Sequence, residues 1–290
     1  MYSPFLLGCW GSNSFGQLGI DGIWQHGPSA LIAVRGLPSL KQVVVGAAHT
    51  CVLSLAGLVK CFGGNANGEL GLERAGSRGR RAGDVASLPF ASLGTNMVAE
   101  QLAAGDHHAC ALLQPGAVVK CWGDNSQAQL GNGWQLSAGL ASGDMGDGML
   151  GVYFLDGAQS SASILAVGNY SCLVSTSSSL WCWGTVAWMG LNCSMSASKI
   201  ALGFDVEMIS CGIGHCCATD ANMTLRCWGS GSLGQLGGAD LQDRDASHAV
   251  AVSALVDVNI VEVVVGDCFS CARSDAGNLT CWGCDSGGEL

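Results

Sequence analysis

The chain is poor in charge and poorer still in proline. Of 290 residues only 12% are charged, and 5 prolines stand against 44 glycines. A disordered chain needs high charge and little apolar content, so 49% hydrophobic residues exclude disorder and supply a large core. No apolar run reaches the roughly 18 residues of a membrane-crossing helix, so no membrane span is expected in this chain. Basic residues are scarce, 12 against 22 acidic, for a net charge of −10. A nucleic-acid binder needs a basic face to displace counterions from phosphate, so nucleic acid is not an expected partner. Signatures of catalysis are missing as well: no nucleophile elbow, no Walker-type phosphate loop, no helix-borne metal motif. No catalytic residue, metal or cofactor is assigned, and no enzyme is expected.

What the chain has is a repeat. Cysteine, an aromatic residue and glycine follow one another at Cys9-Trp10-Gly11, Cys61-Phe62-Gly63, Cys121-Trp122-Gly123, Cys182-Trp183-Gly184, Cys227-Trp228-Gly229 and Cys281-Trp282-Gly283. Three copies run into a shared tail, Phe15-Gly16-Gln17-Leu18-Gly19, Asn67-Gly68-Glu69-Leu70-Gly71 and Leu233-Gly234-Gln235-Leu236-Gly237, and a fourth keeps Gln129-Leu130-Gly131. Self-similarity at about 50 residues marks a repeat architecture. The first unit reads as short strands at 30–34, 42–46, 49–54 and 58–63, the plan of a four-stranded propeller blade. No 3.6-residue apolar spacing argues for a helical solenoid.

Cysteine spacing adds register. Cys51 and Cys61, Cys172 and Cys182, and Cys271 and Cys281 are each separated by 10, and Cys110 and Cys121 by 11. If Cys51 faces Cys61 across a hairpin, Ser54 faces Leu58 over a three-residue loop ending in Gly57, where positive φ is required. Gly277 falls at the same place in the last unit. Opposed cysteines on adjacent antiparallel strands suit disulfides. Cys268 and Cys284 also oppose each other, three residues beyond the Cys271–Cys281 pair and so on the other face of an ideal ladder. The fourth hairpin pairs Cys227 with Cys217 or with Cys216. Cys193 and Cys211 are a further candidate pair, and Cys9 has no upstream partner. A zinc knuckle or redox site at Cys268, Cys271, Cys281 and Cys284 is the alternative use of that cluster.

Recurrent pairs imply an oxidising compartment, extracellular or luminal. Sequons at Asn169, Asn192, Asn222 and Asn278 agree with it, although no signal peptide is visible. The chain is expected to be one body over residues 1–290 that starts and ends within a repeat.

The string Gly46-Ala47-Ala48-His49-Thr50-Cys51-Val52-Leu53, continued by Gly57, Val59, Cys61-Phe62-Gly63, Asn65 and Gly68-Glu69-Leu70-Gly71, resembles the regulator of chromosome condensation repeat. Residues 105–131 and 212–237 repeat it. The resemblance implies an all-β fold, a β-propeller of four-stranded blades. Five hairpins and a stray strand fall short of the family's seven blades, so a partial or six-bladed body is expected. The paired-cysteine form is similar to repeats of secreted and cell-surface members, crinkly-type receptor kinases among them. Residues 143–157 resemble an inter-strand insert of algal and bacterial members. Plant UV-B photoreceptors of this family use clustered tryptophans. Here Trp10, Trp122, Trp183, Trp228 and Trp282 take the blade-core position, while Trp24, Trp134, Trp181 and Trp188 are scattered and lack arginine neighbours, which points to packing. His49, His108 and His215 recur once per repeat, which fits a repeated structural hydrogen bond better than an axial metal site. Asp144, Asp147 and Asp156 lack calcium-loop spacing and read as a flexible acidic insert.

A disulfide-stapled scaffold that binds an unidentified protein is the leading expectation. Its candidate contact residues are Arg74, Arg78, Arg80 and Arg81 in one loop, and Trp134, Asp144 and Asp147 in the insert region. The alternative is an intracellular regulatory module of guanine-nucleotide exchange factor or ubiquitin-ligase accessory type.

Overall fold

The computed structural model describes residues 7–21, 25–26, 33–152, 161–186 and 191–285. They form six small antiparallel sheets in chain order. The first holds Gly11–Ser12 and Gln25–His26. The second holds Leu40–Val45, His49–Ser54 and Val59–Gly63, and the third Val98–Ala104, His108–Gln114 and Val118–Gly123. The fourth comprises Ser161–Val167, Tyr170–Ser175, Leu180–Val186 and Leu191–Lys199. The fifth comprises Met208–Cys211, His215–Thr219, Leu225–Gly229 and Val250–Ala251, and the sixth Ile260–Val265, Phe269–Ser274 and Leu279–Gly283. Four strands per sheet is thus met only in the fourth and fifth. Elsewhere the outer rung shrinks to single bridges, Gly63 to Arg78, and Gly123 to Ala138. Of the strand expected at 30–34, the described part is one bridge between Ala33 and Gly8.

The middle strands of the second to fifth sheets are buried along nearly their whole length because both faces are covered by neighbouring sheets, as in His49–Ser54 and Tyr170–Ser175, whereas Phe269–Ser274 of the sixth is only partly buried. That is why these strands are apolar without alternation. The inner strands instead present one edge to the next sheet. Unpaired strand edges are aggregation-prone, and in the second and third sheets a glutamine closes them. The Gln42 side chain accepts from Leu102 N at 2.8 Å and donates to Leu102 O at 2.9 Å. Gln101 does the same to Ile164, at 3.0 and 3.2 Å. The amide acts as a one-residue strand.

The shared tail is the second seam. The Asn65 side chain accepts from Leu70 N and donates to Arg74 O, and Asn125 repeats this with Leu130 N and Trp134 O. The tail so curled lies against the aromatic residue of the following sheet. Trp122 Nε1 donates to Glu69 O at 3.0 Å, Trp183 Nε1 to Gln129 O at 2.8 Å, and Trp282 Nε1 to Gln235 O at 2.9 Å. The fourth unit has no such tail, and among the described residues the buried Trp228 N–H has no partner. Trp10 departs from the blade-core expectation: it is 58% exposed, with no described tail laid over it.

The closing glycine of the tail is fixed by that contact. Gly131 has φ +63°, and a Cβ there would stand 2.5 Å from Trp183 Cδ1. Positive φ alone is tolerated in this tail, since Ala128 has φ +63°. Gly131→Ala is therefore expected to cost about 3 kcal/mol, mostly from overpacking against the indole. The urea midpoint, with Trp183 emission as the probe, checks it; an unchanged midpoint would refute the interlock.

Candidate functional site

The hairpin register has Cys51 opposite Cys61, Cys110 opposite Cys121, Cys172 opposite Cys182, Cys217 opposite Cys227, and Cys271 opposite Cys281. All five stand within disulfide distance, with Cα separations of 4.0–4.1 Å. Such closeness belongs to the non-hydrogen-bonded rungs of a ladder. Cys268 and Cys284 stand on a hydrogen-bonded rung, Cα 5.6 Å apart, with Cys284 N donating to Cys268 O. The four cysteines of the sixth sheet are thus split into two rungs of opposite face, and their thiols do not converge on one zinc-sized point. In the fifth sheet Cys216 faces Trp228, and its side chain is paired with Cys211, at a Cα separation of 4.0 Å. This corrects the candidate Cys193–Cys211 pair: Cys211 ends the strand whose hairpin brings it opposite Cys216. Among the described residues Cys9 has no disulfide partner; it is half-buried, and burial pushes its thiol pKa up. The Cys193 side chain lies outside the described residues.

The recurring histidines sit at the start of the middle strands and reach across to the next sheet. His108 Nε2 lies 2.7 Å from Ser171 Oγ, and His215 Nε2 lies 2.7 Å from Ser270 Oγ. Ser171 Oγ donates to Gln129 O, and Ser270 Oγ to Gln235 O. A hydroxyl has one hydrogen, so each serine accepts from its histidine, which places the ring proton on Nε2. Burial holds these rings neutral, lowering His108 to about 3 and His215 to about 4. His49 is lowered to about 4 by burial and by neighbouring His107. Its counterpart position in the next sheet is Ala109, and neither His49 ring nitrogen has a hydrogen-bond partner among the described residues. No group of three or more metal-binding side chains occurs among the described residues. The serines were not singled out from sequence. Each stands immediately before a strand cysteine, one repeat downstream of its histidine.

The arginine loop is tied down at its backbone. Gly63 and Arg78 exchange both peptide hydrogen bonds, at 2.7 and 2.9 Å. Asp84 Oδ2 accepts from Gly79 N and Arg81 N at 3.0 and 3.1 Å, and the single helical turn Asp84–Ser87 follows. Arg74 and Arg81 are exposed and Arg78 and Arg80 half-buried. Arg78, Arg80 and Arg81 wall a cavity of about 580 Å³ with Ser77 and Asp84. A second cavity of about 570 Å³ shares Arg81 and Asp84 and adds Arg35 and Asp21.

The insert region is held by the fold as well. Asp144 Oδ2 accepts from Gly139, Leu140 and Ala141 N–H groups at 2.8–3.0 Å. Asp147 accepts from Thr95 N at 2.7 Å and Thr95 Oγ1 at 2.6 Å, and those bonds hold its carboxyl below the usual range. Both aspartates are therefore bound internally, not on a loose acidic loop. Asp156 falls outside the described residues. Trp134 is 61% exposed beside Leu136, and Trp181 is buried. Trp24 and Trp188 are not among the described residues. Asn169, Asn222 and Asn278 are exposed, and the Asn192 side chain is not described.

Comparison with known proteins agrees with this geometry. Two family profiles, each described as "Regulator of chromosome condensation (RCC1) repeat", match residues 9–53, and residues 40–69 and 99–129. The chain is similar to the "Ultraviolet-B receptor UVR8" of Arabidopsis thaliana, 26% identical over 293 residues, covering 97% of this chain and 61% of the receptor. It is similar over 126 residues, at 36% identity, to the "Probable E3 ubiquitin-protein ligase HERC6" of Homo sapiens, covering 42% of this chain and 12% of the ligase. The chain thus spans less than two thirds of either relative. Among solved structures, human WBSCR16 superposes with a TM-score of 0.70 at 19% identity, over 88% of this chain and 64% of that one. The fold is a β-propeller of this repeat type.

Proposed function

Because this chain is built of regulator of chromosome condensation repeats, we propose that it is a non-enzymatic protein-binding scaffold, one propeller body stapled by disulfides and working outside the cell or in a lumen. The observation that carries the reading is the seven cysteine pairs at disulfide distance, five of them at one recurrent rung. Thiols of the cytosol stay reduced, and a fold that repeats a cross-strand pair in successive sheets is built for oxidation. Exposed sequons at Asn169, Asn222 and Asn278 fit the same compartment. A rigid repeat body usually acts through the loops it presents, and fold alone does not choose the ligand. The loops offered to a partner are those of Arg74 to Arg81 and of Trp134.

The intracellular reading draws on the ligase-type relative, whose own chain is far longer than the matched part. Peptide mapping without reduction, on protein from its native source, separates the two. Linked peptides for Cys51–Cys61, Cys110–Cys121, Cys172–Cys182 and Cys271–Cys281 are expected. Free thiols at these positions would move the protein to a reducing compartment.

A further inference from the structure

We propose that the groove walled by Arg78, Arg80 and Arg81 is a binding site for an acidic protein segment. The inference rests on the scaffold reading and names its partner's chemistry. Its basis is a comparison within the molecule. The loop of the second sheet has a twin in the third: Gly123 and Ala138 exchange the same two peptide bonds as Gly63 and Arg78, at 2.8 and 3.0 Å. Asp144 stands five residues after Gly139 as Asp84 stands five after Gly79, and its Oδ2 caps the same turn. In the twin, Arg78, Arg80 and Arg81 are replaced by Ala138, Leu140 and Ala141. The backbone geometry is the same without a guanidinium, so the arginines are not needed to build the loop.

Their surroundings say what they are for. The chain spends its 12 basic residues sparingly. Lys60 and Lys120 are committed to backbone carbonyls, and Arg226, Arg244 and Arg273 to carboxylates. Among the described residues Arg35, Arg74, Arg78 and Arg81 form no ion pair. Arg80 Nη1 donates to Ser14 O, which holds that side chain in place. Of the acids on the walls, Asp84 has Oδ2 occupied by two backbone N–H groups, and Asp21 lines only the second cavity, with Arg35. What remains is a concave wall on which Arg78 and Arg81 have no carboxylate partner among the described residues, continuing through Arg81 to Arg35. Planar guanidinium forks pair bidentately with carboxylates. At ordinary salt the Debye length is about 8–10 Å, so such a wall attracts acidic side chains locally despite the net negative charge of the whole.

The test swaps the twins. Fluorescein-labelled hexaglutamate is titrated with the full chain and followed by anisotropy, beside labelled hexalysine, inorganic phosphate as competitor and a single-stranded oligonucleotide. Hexaglutamate is expected to bind. The Arg78→Ala, Arg80→Leu, Arg81→Ala triple variant is expected to bind it at least about tenfold more weakly, with its melting point within about 2 °C of the parent. The single Arg81→Ala variant, at an exposed side chain, carries the same direction if the triple variant folds poorly. No hexaglutamate binding, or binding that the swaps leave unchanged, overturns the site. Tighter retention of phosphate or the oligonucleotide, lost in the triple variant, overturns the acidic-protein assignment. Cross-linked capture in the native compartment separates this from the scaffold reading. Partners kept by the triple variant sink the groove alone, whereas the absence of any partner of the parent sinks the scaffold.

Discussion

Equilibration with excess reductant in mild denaturant is expected to leave the chain unfolded on return to buffer, or folded with a melting point lowered by about 20 °C or more. Each of the five recurrent pairs closes a loop of 10 or 11 residues. In the loop-entropy account a closure of that length stabilises by about 3 kcal/mol. Five such closures match or exceed the 5–15 kcal/mol that separates a typical folded domain from its unfolded chain. Denaturant is needed because the sulfurs are shielded: Cys51, Cys172, Cys217 and their partners are buried between sheets. The double variant Cys172→Ser, Cys182→Ser isolates one staple and should lose about 2–4 kcal/mol in urea denaturation. A melting curve indifferent to reductant would show that the cysteines contribute only as small buried side chains. The compartment would then be a reducing one.

The cysteine rungs were legible in sequence because hairpin register is arithmetic: loop length and strand period fix which residues oppose. The same arithmetic left Cys216 and Cys217 open, since two adjacent cysteines differ only by face. The structure decides by register, with Cys217 on the rung opposite Cys227 and Cys216 turned to Cys211. What could not be read were contacts between repeats. The tail looked like a repeat marker, yet its carbonyl serves the indole of the following sheet, a relation visible only once the sheets are stacked. Asp84 and Asp144 were missed or read as charge, although the matched interval from Gly79 and Gly139 was a usable signal. His49 shows the limit from the other side. Its recurrence predicted a hydrogen bond, and the partner failed because the next repeat carries Ala109 where Ser171 and Ser270 stand elsewhere.

Acidification from pH 6.5 to 4 is expected to destabilise the chain severely, and the histidines are the reason. In the unfolded chain a histidine takes its proton near 6.5, whereas His49, His108 and His215 in the fold do so only at about 4, about 3 and about 4. Burial opposes the charged ring in each case. Between the two values the unfolded state binds more protons than the native one, so stability is fully present above pH 6.5 and is lost as the pH falls toward the native values. At 1.36 kcal/mol per pKa unit, each ring contributes on the order of 3 kcal/mol, and the three together rival the whole stability of a domain. Two carboxylates titrate lower than this window. Asp147 and Asp245 are held below their ordinary 3.8, so the stability they add is present above that value and is lost mainly below it, with onset only near the acid end of the window. Urea midpoints measured at intervals from pH 7 to 4 give the slope. His108→Asn keeps a donor for Ser171 but cannot titrate here; it should be less stable at neutral pH and lose less on acidification. A parent whose midpoint is flat to pH 4 would mean that the rings are reached by water or already paired with an acid, and the buried histidine row would have to be abandoned.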